Sequence, residues 1–165
     1  MKKHLIYLCA CVCAMFWSCT PQNTPDNKAD NSYYECDVFV EPYLEWGTKS
    51  DDVQKWMTDH GFAKSKETYI NDQLVKYYAG RKKEIETAQL FNKTTLAYES
   101  AMIYFQSGNY NSWVELTTAL SDRYTFIRDN GEAKEYNSKD GKTFIQLITT
   151  TANGVTYDVV IYSAR

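Results

Sequence analysis

Apolar positions along the chain recur with two periods, and glycines mark most of the changes between them. After Gly47, Val53, Trp56, Met57 and His60 stand at i, i+3, i+4 and i+7 and Gly61 follows, the spacing of a short amphipathic helix with a C-terminal stop. Thr48 or Ser50 is placed to cap it, and Asp51 and Asp52 fall in its first turn, favourable at the positive end of a helix dipole. Four strand-like runs come next: Phe62 to Ile70, Gln73 to Ala79, Ile85 to Phe91 and Leu96 to Phe105. Asn71-Asp72, Gly80 with Arg81-Lys82-Lys83, and Asn92-Lys93 separate them as turns. The order then recurs. Trp113, Leu116 and Leu120 form a second helical stripe, with Ser112 and Glu115 spaced as a capping box. Strands over Tyr124 to Arg128, Ala133 to Asn137, Thr143 to Thr151 and Val155 to Ser163 follow, turning at Asp129-Asn130-Gly131, Asp140-Gly141 and Asn153-Gly154.

The pattern predicts an α+β fold of two tandem units, about 48–105 and 110–164, each one helix plus a four-stranded antiparallel meander. Tyr98-Glu99 followed by Met102-Ile103-Tyr104 is echoed by Tyr157-Asp158 followed by Val160-Ile161-Tyr162. Two such units can join into one curved sheet of about eight strands with both helices on its concave side, which buries each helix stripe.

The N-terminus reads differently. Lys2, Lys3 and His4 precede an uncharged run from Leu5 to Trp17, the layout of an export signal over residues 1–18. That run is shorter than the roughly 20 apolar residues a membrane span needs. Phe16-Trp17-Ser18-Cys19 resembles a bacterial lipoprotein cleavage box, which implies that Cys19 becomes the lipidated N-terminus. Leu8-Cys9-Ala10-Cys11 fits that box better by letter, but cutting there leaves too short an apolar run. Residues 19–32 are polar and carry two of the three prolines, so they read as the lipidated cysteine and a flexible tether ahead of a globular domain over 33–165. The chain carries a net charge of −3, and the loss of Lys2 and Lys3 makes the remainder more acidic, which argues against a nucleic-acid partner. Three of the five cysteines leave with the signal and Cys19 takes the lipid, so Cys36 is left alone and a disulfide framework is excluded. Alternation with Val38 and Val40 marks Cys36 as a buried, inert side chain.

The segment Glu41-Pro42-Tyr43-Leu44-Glu45-Trp46-Gly47, followed by Ser50-Asp51-Asp52-Val53, resembles small lipoproteins of Bacteroides-type bacteria. Their helix-plus-four-strand unit is similar to the β-lactamase inhibitor protein fold and to the small lipoprotein subunit of the outer-membrane barrel-assembly machinery. The resemblance implies a lipid-anchored envelope protein whose concave sheet meets a protein partner. It carries over no binding residues.

Candidate chemistry is sparse. His60 is the only histidine after the signal and sits on the helix stripe, so neither a histidine-based triad nor a Cys/His metal site is expected, and no cofactor or metal. Among the carboxylates, Glu99 and Asp158 occupy equivalent places in the two halves and are the pair that could meet on one face. Lys64 and Lys66 read as edge protection. Only Tyr7 and Trp17 of the 14 Tyr and 4 Trp fall in the leader, a heavy aromatic load for one core. Tyr77, Tyr98, Tyr104, Tyr157 and Tyr162 are therefore the candidate binding surface. The expected function is a non-catalytic, membrane-anchored, protein-binding envelope lipoprotein, facing the periplasm from the outer membrane. The alternative is a carbohydrate-binding or glycan-processing accessory that uses an aromatic cleft. Replacing Cys19→Ser is expected to abolish incorporation of radiolabelled palmitate, and unchanged labelling would count against the anchor.

Overall fold

Two four-strand runs meet along their last strands. The computed structural model describes residues 41–80, 85–106 and 110–165, so the expectations for the leader, Cys19, the tether, Cys36 and the Arg81-Lys82-Lys83 turn lie outside the described residues. The element order is α1 (Ser50–Asp59), β1 (Ala63–Ile70), β2 (Gln73–Ala79), β3 (Ile85–Asn92), β4 (Tyr98–Gln106), α2 (Tyr110–Arg123), β5 (Thr125–Asp129), β6 (Lys134–Asn137), β7 (Thr143–Ala152) and β8 (Val155–Ala164). All eight strands form one antiparallel sheet in the order β1-β2-β3-β4-β8-β7-β6-β5. The central seam pairs β4 with β8 from Ser100↔Ser163 to Gln106↔Tyr157. The fold is thus α+β with a single eight-stranded sheet and two helices.

Turn chemistry sets the hairpins. Asn71 and Asp72 both have positive φ (46° and 66°), as do Asn153 (51°) and Gly154 (77°), the two-residue geometry that matches the twist of the flanking strands. Asn130 closes the β5–β6 turn through its side chain, whose Oδ1 accepts the backbone N–H groups of Glu132 and Ala133. The two edges of the sheet are guarded. β1 carries a bulge between Lys64 and Lys66, and β5 carries one between Phe126 and Arg128. Irregular, charged edges discourage pairing with another chain.

Both helices pack on one face of the sheet. Val53 and Met57 from α1 and Leu116 and Leu120 from α2 join Tyr78, Phe91, Tyr98, Ile103, Ile145 and Tyr162 in one buried cluster. The predicted side-chain caps are not what starts the helices. Lys49 is the N-cap of α1 and makes no side-chain capping bond. Ser50 is already helical, and its N–H donates instead to the Leu96 carbonyl at 3.1 Å. Ser112 lies inside α2, which begins at Tyr110, so it is not a cap either. At the other end of α1 the glycine stop holds. Gly61 (φ 80°) lets its own N–H reach the Thr58 carbonyl and that of Phe62 reach Met57, closing the helix and sending Phe62 into the core rather than into β1.

The segment before α1 acts as a clasp on the helix side. Gly47 donates to the Tyr98 carbonyl and Tyr98 to that of Thr48, so the segment is stitched to the start of β4. Its rings fill the space between. Tyr43 lies against Trp56 at 5.4 Å and Trp46 against Tyr98 at 4.9 Å, and the indole N–H of Trp46 donates to Thr143 Oγ1 at 3.0 Å. The motif that carried the family resemblance therefore has a packing role that accounts for its aromatic residues.

Beneath α1 lies one buried cation. Lys76 is 4% exposed and donates to Gln54 Oε1 at 2.9 Å, with Asp51 at 3.7 Å, Glu67 at 3.9 Å and the Phe91 ring 5.9 Å away. Removing a buried charge is costly when it strands its partner. Here the Asp51 side chain is 99% exposed and that of Glu67 39% exposed, so neither is stranded. Lys76→Met is accordingly expected to change unfolding free energy by less than about 1.5 kcal/mol, whereas Lys76→Glu, which buries a like charge beside Asp51 and Glu67, is expected to cost at least about 3 kcal/mol. Urea titrations of the two variants check this.

Candidate functional site on the far face of the sheet

Strand residues alternate between two faces, and here both faces are apolar. Opposite the helices, Val75 and Tyr77 of β2, Ala88 and Leu90 of β3, Met102 and Tyr104 of β4, and Val159 and Ile161 of β8 form a second buried cluster with Ile148 of β7. Apart from Ala133 in the β5–β6 turn, its buried members among the described residues are all strand residues, and no described side chain of either helix is among them. The signal for this was present in the sequence. β2, β3, β4, β7 and β8 are apolar at both parities, as strands covered on two sides require.

The five singled-out tyrosines do not share a surface. Tyr77 and Tyr104 belong to the far-face cluster at 1% exposure each. Tyr157 is half-buried at the rim of that cluster, its ring edge-on to Tyr104 at 6.3 Å. Tyr98 and Tyr162 lie instead in the helix-side core, where Tyr98 bonds Gln89 and Tyr162 packs against Tyr124. This corrects the expectation of one tyrosine surface. The echoed tyrosines also point to opposite faces: Tyr98 against Tyr157, and Tyr104 against Tyr162. The letter echo is thus out of phase with the pleat.

Nor do Glu99 and Asp158 meet. Asp158 is paired across the seam with Phe105, six residues along β4 from Glu99. Its carboxylate accepts from Thr149 Oγ1 at 2.8 Å. Glu99 accepts from Gln73 Nε2 at 2.9 Å and Asn92 Nδ2 at 3.1 Å. Gln73 and Asn92 alternate with Val75 and Leu90, so Glu99 sits at one end of the far face.

The polar residues that frame the far face were not anticipated. Glu86, across from Tyr104, lies at the end opposite Glu99. Glu135 is 3% exposed and receives Arg128 through Nε at 2.8 Å and Nη2 at 3.3 Å, with Gln146 Nε2 at 3.4 Å from the same carboxylate. Register with Gln146 and Ile161 puts this group on the far face, toward the β5 edge. Lys66, opposite Tyr77, marks the β1 edge. The result is an apolar field across five strands, with carboxylates at both strand ends and a cation toward each sheet edge.

Two shallow hollows mark the surface, the second of them reaching Ala133 and Ile148 of the far-face cluster. A hollow of about 660 Å³ lies between Trp46, Tyr124 and the β6–β7 turn, and one of about 690 Å³ between Trp113 and the β5–β6 turn. His60 is held at the end of α1 by stacking on Trp56 at 3.9 Å and by the Trp56 carbonyl 2.8 Å from Nδ1. Among the described residues no group of three or more His, Cys, Asp or Glu could hold a metal ion, and no described helix is long and apolar enough to cross a membrane. Comparison with known family models, characterised proteins and solved structures finds no match to this chain.

Burial sets the titration of Glu86. Desolvation pushes the Glu86 carboxyl from its ordinary 4.5 up to about 7. The unfolded chain releases this proton near 4.5 and the folded protein only near 7. Glu86 therefore costs nothing below about pH 4.5, destabilises progressively as pH rises to about 7, and is constant above. Glu86→Gln is expected to leave stability at pH 4 within about 0.5 kcal/mol and to raise it at pH 8 by about 1 to 2 kcal/mol, allowing for partial solvent screening. Chemical denaturation at pH 4, 6 and 8 checks the difference.

Proposed function

We propose that this chain is a membrane-anchored envelope lipoprotein that acts as a non-catalytic protein-binding module through the far face of its sheet. The observation that carries the reading is the five-strand apolar field opposite the helices, to which no described element outside the strands and Ala133 contributes. Where such a field opens to solvent on a folded domain it serves as an interaction surface. The anchor at Cys19, the outer-membrane location and the short tether are part of the same proposal. They rest on the leader pattern in residues 1–18 and the polar stretch that follows. A tether of this length holds the domain within about 45 Å of the bilayer, so the partner belongs to the envelope. The two halves, each a helix followed by a meander, are read as two copies of one ancestral unit. Matching element order and the meeting of their last strands at the seam support this, rather than the tyrosine echo.

The test is crosslinking in native envelopes with a tagged chain. The expected result is a reproducible partner whose recovery falls about tenfold with Tyr157→Arg at the rim of the far face. Recovery should be unchanged with Val114→Arg on the exposed side of α2. Equal loss with both variants, or no reproducible partner, would set the reading aside.

A further inference from the structure

β6 stops short of its neighbour. It has 4 residues against the 10 of β7, and their ladder ends at Lys134↔Leu147. Ile148 to Ala152 therefore pair with β8 on one side and meet no strand on the other. The Asn153-Gly154 turn determines which of them carry outward main-chain groups. A two-residue hairpin makes its flanking pair, Ala152↔Val155, a hydrogen-bonded one, so Ala152, Thr150 and Ile148 bond β8 while Thr151 and Thr149 face outward. Thr143 has the same parity, and its carbonyl accepts from the Ser138 N–H on the β6 side at 2.9 Å. Outside the ladders, no backbone bond among the described residues reaches Thr149 or Thr151, and both side chains are exposed. Unlike β1 and β5, this stretch of edge has no bulge, and it has no lysine or proline to guard it.

The hollow of about 690 Å³ lies on this edge, with Ile148 and Thr149 on one side, Asp129, Glu132 and Lys134 on the other, and Trp113 of α2 above. Lys134 is engaged by Asp129 at 2.9 Å, and Glu132 is exposed. Behind Thr149, whose hydroxyl donates to it at 2.8 Å, Asp158 is 1% exposed, and its Oδ2 makes no hydrogen bond among the described residues. Three carboxylates thus stand against one ammonium beside an indole ring, a setting that favours a cation. We propose that the open edge of β7 takes up an extended segment of a partner protein as an added strand in line with β6, with a Lys or Arg of that segment in the hollow beside Trp113. The five open residues span about 17 Å. Backbone bonds to Thr149 and Thr151 supply affinity, and the basic side chain supplies the choice of sequence. Its place in the segment is fixed by the pleat, because only residues opposite Thr149 or Thr151 turn to the helix side, where Trp113 packs. A second copy fits worse. Laid antiparallel over the same five residues, its Asn153-Gly154 turn falls on Lys134, which already pairs with Leu147, and two acidic hollows meet. The slot is separate from the far-face reading of function and does not depend on the anchor.

The test uses the full chain in detergent. A phage library of random peptides of about seven residues is panned on it and counter-selected on Thr151→Pro, which deletes one outward N–H and leaves the β8 ladder intact. The expected peptides lack proline and carry Lys or Arg among β-branched or apolar residues. In heteronuclear amide spectra the leading peptide should shift the backbone signals of Thr149 and Thr151 and the indole N–H of Trp113, and leave those of α1 in place. Its Kd should rise about tenfold with Glu132→Lys, a change at an exposed turn residue, and a peptide with Glu in place of its basic residue should regain binding to that variant. If Thr151→Pro unfolds the chain, the spectra and the Glu132→Lys exchange decide without it. No enrichment, shifts confined to another surface, an affinity indifferent to Glu132→Lys, or a dimer of the chain that Thr151→Pro dissolves each overturns the proposal and leaves the far-face reading standing.

Discussion

Backbone pairing between β4 and β8 is the contact on which the rest of the molecule depends. Without that pairing the runs β1–β4 and β8–β5 would each end in an open edge. The ladder from Ser100↔Ser163 to Gln106↔Tyr157 turns two such edges into the middle of one sheet. Every side chain on these two strands then gains neighbours on both flanks, and Ala101 to Tyr104 and Val159 to Tyr162 are almost completely buried, as Ala88 to Phe91 are on β3. The helices follow from this. Their stripes need a wide apolar floor, and the seam supplies it by putting Ile103 and Val160 side by side beneath them.

The same seam makes the two faces of the sheet unequal. On the helix side some polar groups of the core are paired, as Tyr98 is with Gln89 and Trp46 with Thr143, while the buried Tyr78 hydroxyl makes no hydrogen bond among the described residues. On the far side the charged groups stand at the margins, where Glu99 is held by two amides and Glu135 by an arginine. A field that is apolar at its centre and charged at its rim is how recognition surfaces are commonly organised.

Much of this architecture was legible in the residues. Turn pairs such as Asn71-Asp72 and Asn153-Gly154 placed the hairpins, because few residues accept positive φ there. The stripes of α1 and α2 placed the helices. Strand order was not legible. Nothing local distinguishes β4 from any other strand as the partner of β8, since that choice is made by packing across a separation of dozens of residues. The facing of the tyrosines was hidden for a related reason. When both parities of a strand are apolar, alternation no longer tells one side from the other, so Tyr104 and Tyr162 looked equivalent and are not. Caps failed because the backbone substituted for them. The β3–β4 turn meets the first N–H of α1 through Leu96, a long-range contact that no capping motif announces.

The crossover through α2 has a consequence for the order of assembly. A chain is made N-terminus first, so α1 and β1 to β4 emerge together and can pair as a meander. The chain then runs through α2 to the far edge and fills inward, and β8, the neighbour β4 is waiting for, is the last strand to arrive. Until then β4 is an edge strand, apolar on both faces, its one irregularity confined to Glu99 near its start, and without the lysines that guard β1. The strand most protected in the finished sheet is the one most open to mispairing while the sheet is being made.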